Sequence, residues 1–262
     1  MSALAAPQPV MMQDTGWQTQ HHLSSGSANN NLMAAPLLLH IETSSPVCSV
    51  ALSLGSSLLS LKETTEHANH AAMLIVMIEQ VLQEAKYDAK MLDAIVLSAG
   101  PGSYTGLRIG TATAKGMCYA LNKPLIAVDS LQALANGMRA NVGERKCIYC
   151  PTIDARRNEI YYGLYSHNVD IIRPPVNHIL APGFLSDMQG DEKILIGGSG
   201  ATKCRQFVSV HRPEFDEITT PSAKWMIQWG DRMFASAAFT DPIYFEPHYI
   251  KPAFVTSAKK IL

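Results

Sequence analysis

Ile41-Glu-Thr-Ser-Ser-Pro-Val-Cys-Ser-Val-Ala-Leu52 can be laid on Ile153-Asp-Ala-Arg-Arg-Asn-Glu-Ile-Tyr-Tyr-Gly-Leu164, an offset of 112 residues (153 minus 41). Each segment is an apolar strand, a carboxylate, a small residue, a polar turn and a second strand. Hairpins resemble one another, so one match of this length can arise by chance. Taken as a repeat, it suggests two related α/β lobes, each opening with a hairpin whose first strand ends in a carboxylate. The rest of the pattern fits an α/β chain, because strands alternate with helices. Leu37–Ile41, Val47–Leu54 and Leu58–Thr65 read as strands. Asn69–Tyr87 reads as a helix, with Leu74, Met77, Ile78, Val81, Leu82 and Ala85 at helical spacing. Asp93–Ser98 is a buried strand, followed by a glycine-rich loop and a helix to about Leu121. Leu125–Val128 is a strand, and Asp129-Ser130 can cap a third helix. Further on, Lys146–Ile153, Glu159–Ser166 and Lys193–Ile196 read as strands, and Ala181–Met188 and Pro221–Ala238 as helices.

The 262 residues divide, on this reading, into a leader at 1–34, a first lobe at 35–140 and a second lobe at 141–262, whose C-terminal helix is expected to pack back on the first. The leader has one charged residue, Asp14, and no basic n-region, so it is read as a disordered extension rather than a secretory signal, with Met33 as an alternative start. The longest apolar run, Ala71 to Ile78, is far short of a bilayer span. Five scattered cysteines do not make a disulfide framework, and a reducing cytoplasm is expected. Cys147 and Cys150, three apart in a strand, should face opposite sides. Lys+Arg (21) nearly balances Asp+Glu (22), which argues against gripping nucleic acid by bulk charge. Charged residues are only 16% of the chain, so some of the surface is expected to meet a partner.

Three features carry candidate chemistry. Gly100-Pro-Gly-Ser-Tyr-Thr-Gly-Leu-Arg-Ile-Gly110 follows a buried strand, where glycines let backbone N–H groups approach a phosphate. It lacks the Gly-Lys-Ser/Thr of a Walker loop and the spacing of a dinucleotide fingerprint, so a tight strand-to-helix turn is an equal reading. Next, Gly106, Gly110, Ala114 and Cys118 form a stripe of small residues that lets another backbone come close, either the lobe's own sheet or another subunit. Beside it, Ala71–Ile78 is apolar all round, as in a helix deeply buried or shared with a partner. The partner reading is preferred for both. It takes in His67, His70, Met73, Leu74, Met77, Ile78, Gly102, Tyr104, Thr105, Gly106, Arg108, Gly110, Ala114 and Cys118, and it predicts that Gly110→Leu weakens association and leaves the fold intact. His67 and His70 could ligate a metal, but without a third ligand a solvated or capping role is preferred. Finally, Glu42 and Asp154, with Thr43, Ser44, Arg156, Gly197 and Gly198, make a candidate vestigial nucleotide site. Against it, Asp154 and Glu159 can simply pair with Arg156 or Arg157, and Gly197-Gly198 can be a turn.

At this point the chain resembles the TsaB (YeaZ) family. The residues that carry the resemblance are Leu39-His-Ile-Glu-Thr-Ser-Ser, His67, Asp93-Ala-Ile, the Gly100–Gly110 string, Lys123-Pro-Leu-Ile-Ala-Val-Asp-Ser-Leu, Ile153-Asp-Ala-Arg-Arg-Asn-Glu-Ile-Tyr and Tyr249-Ile-Lys. The resemblance implies the duplicated actin/Hsp70/sugar-kinase fold. It also implies a non-catalytic subunit of the machinery that installs threonylcarbamoyl on the adenosine 3′ to the tRNA anticodon. TsaC-type enzymes make threonylcarbamoyl-AMP, TsaD transfers the group, and TsaE, an ATPase, joins them. The implied partners are TsaD directly, TsaE within the complex, TsaC functionally, a second copy of the chain through the same first-lobe surface, and tRNA only through the complex. No cofactor is expected to be required, with ATP or ADP at the partner interface the one candidate. The rival readings are an ATP-dependent kinase or transferase using Glu42 and Asp154, and, less well supported, a metallopeptidase.

Overall fold

A computed structural model describes residues 35–65, 70–143, 145–188, 190–210, 213–218 and 220–251, with His70 described by its backbone alone. The leader read at 1–34 and the candidate residue His67 therefore lie outside the described residues.

The first sheet contains β1 (Leu37–Glu42), β2 (Cys48–Leu54), β3 (Ser57–Thr64), β4 (Ala94–Ser98) and β5 (Leu125–Val128), in the order β3-β2-β1-β4-β5. The second contains β6 (Ile148–Asp154), β7 (Glu159–Tyr165), β8 (Ile171–Ile179), β9 (Ile194–Gly197) and β10 (Pro213–Phe215). Its order, read from β8, is β8-β7-β6-β9-β10, the same topology with each strand replaced by its counterpart. The first two pairings are antiparallel and the last two parallel in both sheets. Glu42 and Asp154 end the equivalent strands β1 and β6, so the repeat read from the sequence is structural. This is the two-lobed actin/Hsp70/sugar-kinase arrangement.

β1 reads Leu-Leu-Leu-His-Ile-Glu because it is the central strand and is buried on both faces. Leu39 and Ile41 face α1 (His70–Ala85) and α2 (Tyr104–Leu121), in a core with Leu74, Val81 and Ala114. Leu38 faces the other way, with Val96 and Ile126, toward a 3₁₀ turn at Ala223–Met226 and α5 (Ile227–Ala235), the helix that follows the short α4 (Ala201–Cys204) along the chain. α5 packs on β1 and β5 of the first sheet. Between the sheets runs α3 (Ser130–Val142), which places Ala133 in the core with Leu38 and Val96, and Leu134 and Met138 in a core with Tyr149 and Leu195. Asp129 caps α3 as the sequence predicts, its Oδ1 accepting the Gln132 N–H at 2.9 Å. Cys147 and Cys150 do lie on opposite faces of the second sheet, and all five cysteines are buried and unbridged.

Three sequence expectations give way. Ala181–Met188 is not a helix. Pro182 and Gly183 open a turn, Leu185 has φ +65°, and Phe184 instead bridges to Val208. The helix expected at Pro221–Ala238 divides into the 3₁₀ turn and the shorter α5. β8 has no counterpart in the sequence reading, because Pro174-Pro175 interrupts its pattern; β8 is an edge strand, where missing N–H groups are tolerated. Among the described residues no helix is long and apolar enough to cross a membrane.

Candidate functional site

The turn after β1 is closed. Glu42, Thr43, Ser44 and Ser45 are all buried, Glu42 with 0% exposure. What closes it is the N-terminal end of α2. Ser103 N–H donates to the Ser44 carbonyl at 2.7 Å, and the Ser103 side chain caps α2 by accepting the Gly106 N–H. A Cβ at Gly102 would overlap the Ser44 carbonyl oxygen. One at Gly106 would overlap the Thr43 carbonyl oxygen, and one at Gly110 the Thr43 hydroxyl. The glycines at these positions let a helix lie directly on the turn.

This corrects the partner reading of the small stripe. Gly106, Gly110, Ala114 and Cys118 are buried against the chain's own turn and sheet, where a second protein cannot reach them. The expectation that Gly110→Leu spares the fold falls with it. Leu74, Met77 and Ile78 are likewise buried in the first core. Met73 is half-buried at its edge, and His70 contributes the first residue of α1.

Around the turn lies a buried acid. Glu42 Oε1 accepts the Ser44 N–H at 2.5 Å. Burial pushes its pKa up to about 7, hydrogen bonds from Ser44 and Ser98 oppose the rise, and the charge of Asp129 adds to it. Asp129 is itself raised by burial. On β1, His40 sits buried with Nε2 2.8 Å from Ser53 Oγ, and burial lowers its pKa to about 3.

The second hairpin differs. Asp154 is exposed, whereas its counterpart Glu42 is buried. Its Oδ1 accepts the Arg156 N–H at 2.7 Å and pairs with Lys203 Nζ at 2.5 Å. Glu159 bonds Lys251 Nζ at 2.7 and 2.8 Å and Asn177 at 2.7 Å. Two lysines distant in sequence, Lys203 and Lys251, thus pair with the carboxylates of this hairpin, and the Arg157 charge also favours ionised Glu159. The turn holds Arg156 and Arg157 at φ +68° and +50°, a region costing about 1–2 kcal/mol per residue with a Cβ. Gly197-Gly198 is a packed turn. A Cβ at Gly197 would press on Met138 and one at Gly198 would overlap the Thr152 carbonyl oxygen.

What remains open is the outer face of the first lobe. On α1, Ala71 and Ala72 are exposed, as are Ile75 (47%) and Val76 (42%). On α2, which contacts α1, Tyr104, Thr105, Arg108, Ala112, Gly116 and Tyr119 (90%) are exposed, with Arg108 over the Tyr104 ring at 5.5 Å. The apolar positions out of phase with Leu74, Val81 and Ala85 are the outward ones, and that phase was the signal that could have found Ile75 and Val76. Tyr249 was reached only through the resemblance. Its segment lies across the α2 terminus: His248 N–H donates to the Ala99 carbonyl at 2.7 Å, and the Tyr249 ring lies 4.8 Å from Tyr104.

Against known proteins, this chain is 30% identical over 174 residues to the tRNA threonylcarbamoyladenosine biosynthesis protein TsaB of Bacillus subtilis, covering 65% of this chain and 74% of that protein. The chain belongs to the TsaB family. The Escherichia coli TsaB is 29% identical over 224 residues, covering 82% of this chain and 94% of its own length. A solved structure described as YeaZ from Pseudomonas aeruginosa superposes with a TM-score of 0.72 at 25% identity, covering 82% of this chain and 99% of that one. Residues 62–186 also match the model of the family described as TsaD: tRNA N6-adenosine threonylcarbamoyltransferase. That span includes both outward helices and the second hairpin. Membership places the chain among proteins named for threonylcarbamoyladenosine biosynthesis.

Proposed function

We propose that the chain is a non-catalytic subunit that docks on a TsaD-type transferase through the outer face of α1 and α2. The observation that carries this reading is the exposed apolar surface of Ile75 and Val76, on two helical turns that hold no charged residue from Ala71 to Ile78. Such a face is stabilised by burial against a partner. The closed β1–β2 turn supports the non-catalytic part. In this fold the kinase reading needs Glu42 and Asp154 across an open cleft, and here Glu42 is sealed under α2 and Asp154 is paired with Lys203. TsaE joins the assembly and TsaC supplies it. A second copy of the chain would compete for the same face. ATP or ADP, where it binds, belongs to the contact with the transferase.

The purified chain alone should make no threonylcarbamoyladenosine and should restore its formation by TsaC, TsaD and TsaE. Modification by this chain without TsaD, or tight Mg-ATP binding lost in Glu42→Ala, would favour the enzyme instead. The Ile75→Asp, Val76→Asp variant should keep its melting temperature within about 2 °C, since surface changes usually stay within about 0.5 kcal/mol. Its co-elution with TsaD should weaken at least tenfold. Co-elution equal to wild type rejects this face.

A further inference from the structure

Away from the docking face, a cleft of about 570 Å³ lies among the described residues, a size that suits a small molecule. One wall holds Val47, just before β2, and Glu63, at the end of β3. The other wall is the chain that follows β10, with Glu217, Ile218, Ser222, Lys224 and Trp225. Both walls are pinned. Ala223 N–H donates to Ser49 Oγ at 2.9 Å, and the Ser49 hydroxyl donates to Glu63 Oε1 at 2.9 Å. One carboxylate oxygen is thereby fixed by the backbone of the opposite wall. Gly198 N–H donates to the Ile218 carbonyl at 2.7 Å, which ties the second wall to the end of β9.

The lining carries charges of both signs. Among the described residues no ion pair involves Glu63, Glu217 or Lys224. Lys224 Nζ stands 4.5 Å from the centre of the Trp225 ring, and that ring packs on Gly137 of α3. A ring held in this way does not serve as a platform for a base. Ser222 is only 5% exposed, and its hydroxyl has no hydrogen-bond partner among the described residues. A buried hydroxyl in the wall of a cleft is normally satisfied, and a ligand atom there can satisfy it. A phosphate in this cleft would meet two carboxylates, and a simple cation would meet the lysine. A molecule with one ammonium and one carboxylate group suits both sets of charges.

We propose that the cleft binds a free α-amino acid with a short side chain. Glu63 and Glu217, one from each wall, hold its ammonium group. Lys224 and the Ser222 hydroxyl hold its carboxylate. Val47 and Ile218 supply the apolar contact for the side chain. The proposal needs neither the transferase nor tRNA, so its failure leaves the docking reading standing.

The test adds L-threonine, whose side chain is short and carries a methyl group, to the full chain and follows it by saturation-transfer NMR. A Kd of about 1 mM or tighter is expected, the strength of a few charge-assisted hydrogen bonds. L-Threonine methyl ester lacks the carboxylate and N-acetyl-L-threonine lacks the ammonium group, so each should bind about tenfold more weakly. The Glu63→Gln, Glu217→Gln variant should lose about tenfold in threonine affinity, and so should Lys224→Met. Lys224→Met should leave the weak binding of the ester as it is in the wild type. Melting temperatures check that the variants fold, and Glu217→Gln alone, on an exposed residue, carries the test should the double variant unfold. No threonine binding by the folded wild type overturns the proposal. An ester that binds as tightly as threonine makes the cleft a plain cation site and also overturns it. Tight binding of the N-acetyl compound, which makes it an anion site, or variants that bind threonine like the wild type, do the same.

Discussion

Gly106→Ala is expected to destabilise the chain by about 3 kcal/mol or more, while Gly116→Ala, ten residues along the same helix, is expected to stabilise it slightly. The difference lies in what the added methyl meets. At Gly106 it overlaps the Thr43 carbonyl oxygen, part of a buried backbone turn with no flexible end to give way. Either α2 lifts from β1, opening the core around Ala114 and Cys118, or the turn distorts and strains the Ser103–Ser44 hydrogen bond. Overpacking of this kind costs about 1–3 kcal/mol where side chains can adjust, and more where backbone must move. Against a total stability of about 5–15 kcal/mol, that lowers the melting temperature by about 10 °C. At Gly116 nothing lies within 4 Å, so alanine there only improves helix propensity, by about 0.5–1 kcal/mol. Gly110→Leu should be worse than Gly106→Ala, because its larger side chain meets Thr43 and Leu97. Thermal unfolding of the three variants decides the matter. Equal melting temperatures for Gly106→Ala and Gly116→Ala would mean that α2 does not rest on the turn.

The same helix shows what the sequence made legible. That glycines recur at 102, 106 and 110 is plain from the sequence, and so is the fact that a backbone must come close. Which backbone it is depends on residues about 60 positions away, and the nearer one, Thr43, wins over any partner. For α1, an apolar run on all sides correctly signals a helix with two apolar faces. Helical phase then divides it: Leu74, Met77 and Ile78 share the face of Val81 and Leu82 and go inward, which leaves Ile75 and Val76 outside. Local features survive best. β5 and the Asp129 cap depend on neighbours within a few residues, and both stand where the sequence places them. The lysine partners of Asp154 and Glu159 are not legible in this way, because Lys203 and Lys251 lie 49 and 92 residues away. The repeat is the exception that crosses this distance. Duplicated topology writes the same hairpin pattern twice, so a long-range relation becomes visible as a local one.

The second large effect concerns pH. Glu42→Gln should leave stability at pH 5 nearly unchanged and raise it at pH 8 by about 3 kcal/mol. In the folded chain Glu42 holds its proton up to about pH 7, against 4.5 for the ordinary group. Between those values the folded state carries a proton that the unfolded state has lost, so stability falls as pH rises. A pKa moved from 4.5 to about 7 corresponds to about 3 kcal/mol, fully lost above pH 7. His40 works in the opposite sense. Its pKa falls from 6.5 to about 3, so between those values the unfolded state binds the extra proton and stability rises with pH. From pH 4.5 to 6.5 the two slopes cancel and the wild-type profile should be flat. Above 6.5 only Glu42 acts and stability should decline. Asp129, raised by burial and facing both Glu42 and His248, adds to the Glu42 slope on the acid side. Glutamine at position 42 keeps an oxygen to accept the Ser44 N–H and removes the ionisation. The variant should therefore gain stability steadily from pH 4.5 to 6.5, where the wild type is flat, and hold it to pH 8. Urea unfolding across that range measures both profiles. A variant that reproduced the wild-type decline above pH 6.5 would show that another group carries it, and that Glu42 is ionised beneath α2.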